Sequence, residues 1–246
     1  MAGSGTTSKE GGSTFPTTRW TVIRDAKDPA SPAYRESLEH LAVLYWKPIY
    51  AYFRRKWNKK HEEAADLTQE FFIALCEKDF LQHLSPEHGR FRHYVMAALD
   101  NFARLEFRAR SAQKRGGGVV LFSIDAGDAF QPSGSGSPED TFLREWARSL
   151  LAQAIQEMKE EFAAQGQGKI FALFTDRDLE PPPEGPASYE DLAARHGLSA
   201  TDVTNALYRA RKRLREIVLG KVRDTVTTEK DAEAEMRELF GRRLAE

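Results

Sequence analysis

The sequence predicts an all-α fold, and three observations carry that prediction. Apolar residues recur at i, i+3, i+4 and i+7 through nearly every apolar stretch. No segment sustains the strict alternation of a half-buried strand. Helix-start residues and glycine or proline stops punctuate the periodic segments. With 246 residues, 41% hydrophobic and 11% aromatic, the chain has room to bury two modest cores. The expected architecture is therefore two small helical domains joined by a flexible linker.

Taken in order, residues 1–16 (MAGSGTTSKEGGSTFP) read as a disordered Gly/Ser/Thr tail with no apolar core of a secretory signal. The first helical domain is expected over 17–115. It opens with a short helix holding Trp20, Ile23 and Arg24, then a loop around Pro29 and Pro32. A helix over about 33–57 buries Leu38, Leu41, Tyr45, Ile49, Tyr52 and Phe53. Pro48 inside it is expected to start a new helix or force a kink. A third helix over about 62–78 has a core stripe of Leu67, Phe71, Ala74 and Leu75. Its second face carries Asp66, Gln69, Glu70, Ile73 and Glu77. Residues 79–90 form a loop. A fourth helix over about 91–114 turns Phe91, Tyr94, Val95, Ala98, Phe102 and Leu105 inward. Asn101, Arg104, Arg108 and Arg115 form a polar and basic stripe outside.

Composition changes over 116–138, where GGG and QPSGSGSPED are linker-like, and 119–124 is a short run able to lie extended. A second helical domain is expected over 139–223, with the rigid turn EPPPEGPA inside it. A C-terminal extension over 224–246 includes an amphipathic helix with Ala232, Met236, Leu239 and Phe240 on one side.

The most specific signal is SYEDLAARHGLSATDVTNALYRARKRLRE, residues 188–216. Ser188 caps a helix, with Asp191 three residues on. Tyr189, Leu192, Ala193 and His196 give it one buried face. Gly197 sits where a left-handed C-cap residue is wanted. Ser199 caps a second helix whose apolar stripe is Val203, Ala206, Leu207, Ala210 and Leu214. Thr204, Asn205, Tyr208, Arg209, Arg211, Lys212 and Arg215 remain outside that stripe. This is the pattern of a helix-turn-helix, with hydrogen-bonding side chains placed for base edges in a major groove and arginines for flanking phosphates.

The net charge is only −1, so general polyanion binding is not expected; the basic residues are segregated onto particular helices. The one cysteine, Cys76, excludes an internal disulfide, fits a reducing cytoplasm, and is expected as a small buried side chain. No apolar run approaches the ~20 residues that span a bilayer. An enzyme is not expected. The histidines lack H-E-x-x-H or Cys/His ligand spacing, the glycines at 116–118 lack a following Lys-Ser/Thr, and no serine lies in a nucleophile-elbow pattern. No cofactor or metal is expected.

The order of these segments resembles an extracytoplasmic-function sigma factor of bacterial RNA polymerase, with regions 2 and 4 only. DLTQEFF (66–72) is similar to the region 2.2 signature, RFRHYVMAALDNFARLEFRARSAQKR (90–115) to regions 2.3 and 2.4, and the 188–216 segment to region 4.2. TTRW, the PIYAYFRR segment, QKRGGG and DVTN resemble a planctomycete-like subgroup. The resemblance spans about 17–221. It implies that Asp66, Gln69, Glu70 and Ile73 dock on the clamp helices of the largest subunit of core RNA polymerase. It implies that Asn101 reads a flipped base of the minus-ten element while Arg104 and Arg108 track phosphates. In the minus-thirty-five element, Thr204, Asn205, Tyr208 and Arg209 are the candidates for base edges. Arg211, Lys212 and Arg215 are the candidates for phosphates.

One departure stands out. Where members often carry Asp-Ala-Glu-Asp, this chain has Glu63-Ala64-Ala65-Asp66, one carboxylate short. Control by an anti-sigma factor, by the C-terminal extension or by a kinase acting at Thr68 is compatible with the resemblance. The alternative reading is a helix-turn-helix regulator that binds an operator and does not join polymerase.

Overall fold

The computed structural model describes residues 20–77, 81, 90–112 and 136–241. Among the described residues the structure is all-helical, with no strand. The described residues form nine α-helices in chain order: α1 (Thr21–Asp25), α2 (Tyr34–Lys56), α3 (His61–Glu77), α4 (Phe91–Ala112), α5 (Pro138–Ala164), α6 (Gly168–Phe174), α7 (Tyr189–His196), α8 (Ala200–Arg223) and α9 (Glu229–Phe240). A π-helical turn, Thr175–Leu179, continues α6. The expected extended run at 119–124 and the glycines at 116–118 and 134 lie outside the described residues, while Gly136 is described and Pro138, expected as linker, starts α5.

Pro48 does not end a helix. It is buried within α2, which continues to Lys56. Proline removes one donor and crowds the preceding turn, but Leu44, Tyr45, Ile49 and Phe53 on both sides are buried in the same core, which holds the element together. The helix stops at Asn58, whose φ of 46° is a left-handed conformation that asparagine tolerates. α5 starts on a capping box: the Ser137 hydroxyl accepts from the Asp140 amide and the Asp140 carboxylate accepts from the Ser137 amide, both at 3.0 Å.

The described helices do not sort into two separate cores. One apolar cluster runs from Trp20 to Met236 and includes residues from both sides of the 113–135 segment. Its centre is aromatic. Tyr45 on α2 stacks on Trp146 of α5, with ring centroids 5.9 Å apart, and meets Phe91 of α4 edge-on at 5.3 Å. Phe142 lies 6.3 Å from both Tyr45 and Tyr52. A polar knot ties the same helices. The Lys56 ammonium donates to Tyr52, Asp100 and Glu139, joining α2 to α4 and α5. Burial raises the Tyr52 phenol to about 12 against the pull of that ammonium.

A buried ionic cluster also ties distant parts of the chain. Arg92, almost fully buried at the start of α4, meets Glu235, fully buried on α9, through Nε and through Nη2 at 3.0 Å. Arg92 also pairs with Glu238 at 2.6 Å, and Arg90 reaches Glu235 at 2.7 Å and Glu238 at 2.5 Å. The Phe91 amide donates to the Thr225 carbonyl at 3.2 Å. The Arg92 guanidinium sits 5.9 Å from the Trp146 ring centroid. Burial pushes the Glu235 carboxyl up; the two arginines draw it back. The apolar side expected for α9 is present: Ala232 and Met236 are buried, and Leu239 and Phe240 pack against the core.

Candidate nucleic-acid and protein-docking faces

α7 and α8 form as their caps dictate. Ser188 accepts from the Asp191 amide at 3.0 Å, and its hydroxyl donates back to the Asp191 carboxylate at 2.8 Å. Gly197 ends α7 at φ 64°, the left-handed value that favours glycine. Ser199 and Asp202 close a capping box on α8. Every residue of the expected α8 stripe, Val203, Ala206, Leu207, Ala210 and Leu214, is buried. Leu192 and Ala193 of α7 are buried beside it; Tyr189 and His196 are half-buried.

The basic face of α8 divides into two groups. Arg211 is committed within the molecule: Nε and Nη2 each donate to Asp178 of the π-turn at 2.8 Å, a forked pair that holds the guanidinium well above its ordinary pKa. Arg213 pairs with Glu161 at 2.7 Å and Lys221 with Glu157 at 2.7 Å, both on α5. Arg215 is half-buried and has partners of its own. The second group is Asn205, Tyr208, Arg209 and Lys212, exposed at i, i+3, i+4 and i+7. Among the described residues none of the four makes an ion pair or a side-chain hydrogen bond, and Tyr208 is 66% exposed. Thr204 is exposed beside them, its hydroxyl donating to the Ala200 carbonyl at 2.9 Å.

On α3 the helix brings Asp66, Gln69, Glu70 and Ile73 onto one face. Asp66 is exposed and the other three are half-buried. The Gln69 Oε1 is buried with no hydrogen-bond partner among the described residues. Sequence reasoning missed an aromatic pair that joins this helix to α2: Phe72 stacks on Trp46 with centroids 6.0 Å apart and an interplanar angle of 14°. Phe72 sits in the quoted DLTQEFF signature, but its partner comes from another helix and no spacing rule connects them.

On α4, Asn101 and Arg104 are exposed. Arg108 is on the same helix, and its side chain lies outside the described residues. Three expectations change. Leu105 is 61% exposed instead of inward. The buried line of α4 runs through Val95, Ala98, Leu99, Phe102 and Ala103, which places Leu105 to one side, at i+4 from Asn101. Cys76 is exposed, because Leu75 and Ala74 take the core positions of that turn. Thr68 is fully buried and its hydroxyl donates to the Ala64 carbonyl at 2.6 Å, so a kinase has no access to it in this fold.

Among the described residues no group of three or more His, Cys, Asp or Glu side chains is placed to hold a metal ion, and no helix is long and apolar enough to cross a membrane. No family model matches the chain, nor does any curated protein or solved structure match it.

Proposed function

We propose that this chain is a sigma factor that binds core RNA polymerase in the cytoplasm and directs promoter recognition. One observation carries the reading. A single body presents an exposed stripe of Asn205, Tyr208, Arg209 and Lys212 on a helix set by a capped turn, and a separate carboxylate–amide face of Asp66, Gln69 and Glu70 on α3. A stripe of that composition suits the minus-thirty-five major groove: the amide and Arg209 reach base edges and Lys212 reaches phosphate. The α3 face, with its exposed Asp66 carboxylate, suits a basic helical surface such as the polymerase clamp. Asn101 and Arg104 on α4 are the minus-ten contacts in this reading.

The deciding experiment is a pull-down of core RNA polymerase with the full chain and with the Asp66→Ala/Gln69→Ala variant. Binding by the wild type, lost in the variant, is expected. Specific duplex binding without polymerase binding would favour an operator-binding regulator instead. On the DNA side, Arg209→Ala is expected to reduce discrimination between promoters by ~1–3 kcal/mol. Lys212→Ala is expected to weaken all duplexes alike and flatten the salt dependence by about 0.9 in log–log slope. Unchanged ranking and affinity in both variants would remove α8 from the DNA.

A further inference from the structure

The π-turn contains three consecutive charged residues, and each holds a different part of the α7–α8 pair. The Asp176 carboxylate meets His196 Nε2 at 2.8 Å and Arg195 at 3.7 Å, at the C-terminal end of α7. Arg177 donates to the Ala187 carbonyl just before α7, and its guanidinium lies 5.2 Å from the Tyr189 ring centroid. Asp178 forks onto Arg211, halfway along α8. Short π-helical segments are uncommon and cluster at functional sites. Here the segment sets carboxylates against a helix whose opposite need is positive charge.

Arg211 lies one residue from Lys212 and two from Arg209, on the helix assigned above to DNA. A guanidinium has five N–H donors. Two of Arg211's point at Asp178, and the pair is close to neutral as a unit. The side chain keeps donors for one fixed direction and gives up most of its long-range attraction for phosphate. A free arginine at this position would bind any duplex, since phosphate contacts add affinity without sequence choice.

We infer that Asp178 is a specificity-determining residue: by holding and neutralising Arg211 it lowers the affinity of α8 for non-specific DNA, leaving Asn205, Tyr208 and Arg209 to decide between sites. The inference rests on the DNA-binding reading of α8. Asp178 acts through Arg211 and is therefore a positioning residue.

The test uses the full chain and a 20-base-pair duplex of arbitrary sequence, with binding followed by fluorescence anisotropy as salt is varied from low to physiological. Each phosphate neutralised contributes about −0.9 to the slope of log K against log salt. Asp178→Asn frees one cation. It is expected to steepen the slope by about 0.9 and, extrapolated from 1 M to ~0.15 M salt, to tighten binding roughly fivefold. Asp178→Glu should keep the wild-type slope. Asp178→Asn/Arg211→Gln should return to it.

A merely structural role gives a different signature, namely weaker binding with an unchanged slope, and that result would overturn the inference. A second comparison removes the whole pair: Asp178→Asn/Arg211→Gln keeps the net charge and should leave the non-specific slope as it is, whereas Lys212→Gln should flatten it. Equal flattening by both would overturn the inference while leaving α8 on DNA. Absence of duplex binding by the wild-type chain at low salt would overturn the DNA-binding reading, and this inference with it.

Discussion

Replacing Glu235 by alanine is expected to destabilise the fold by about 3–5 kcal/mol, the loss that follows when one partner of a buried ion pair is removed. The carboxylate is fully buried and faces both Arg92 and Arg90. Without it, Arg92 keeps a full charge in an almost fully buried position with only Glu238, itself 42% exposed, as counter-ion. A typical domain has 5–15 kcal/mol of stability in total, so this one change removes a large part of it. Urea denaturation of the two proteins measures the difference. A paired replacement, Arg92→Met with Glu235→Leu, should recover most of the loss, since burying two apolar groups carries no unpaired charge. A Glu235→Ala protein with wild-type stability would mean that the pair contributes nothing net.

The second large effect is expected at Trp146. Its ring is fully buried where α2, α4 and α5 meet, stacked on Tyr45 and beneath Arg92. Trp146→Ala should cost about 3–5 kcal/mol through lost burial and the cavity left behind. Trp146→Phe, which keeps a ring against Tyr45, should cost clearly less. The indole nitrogen is buried with no hydrogen-bond partner, so phenylalanine strands no polar group there. If the two substitutions were equally damaging, packing area would not be what Trp146 supplies.

What could be read from the sequence divides along physical lines. Local geometry was legible. The Ser188 and Ser199 caps, the glycine at 197 and the Val203–Leu207–Ala210–Leu214 stripe depend on residues within one or two turns of each other, and each sits as expected. Helix limits for α2, α3 and α4 follow from the same short-range rules. Pairings over long separations were not legible. Nothing near Arg211 in sequence announces that Asp178, 33 residues earlier, will take its charge. In sequence Arg211, Lys212 and Arg215 therefore read alike as outward phosphate candidates, while the fold commits Arg211 to Asp178 and buries part of Arg215. Leu105 and Cys76 went astray for a related reason. A helical period gives the apolar side to within about a residue, and the neighbouring helices decide which flank is covered.

The separation between α4 and α9 also has a consequence during synthesis. Arg92 and Glu235 stand 143 residues apart. Ribosomes add about 5–20 residues per second, so the arginine leaves the peptidyl-transferase centre roughly 7–30 s before its partner exists. Through that interval the start of α4 has no counter-ion to let it settle beside Trp146. The N-terminal helices are therefore expected to complete their packing at that edge only after α9 has been made and docks.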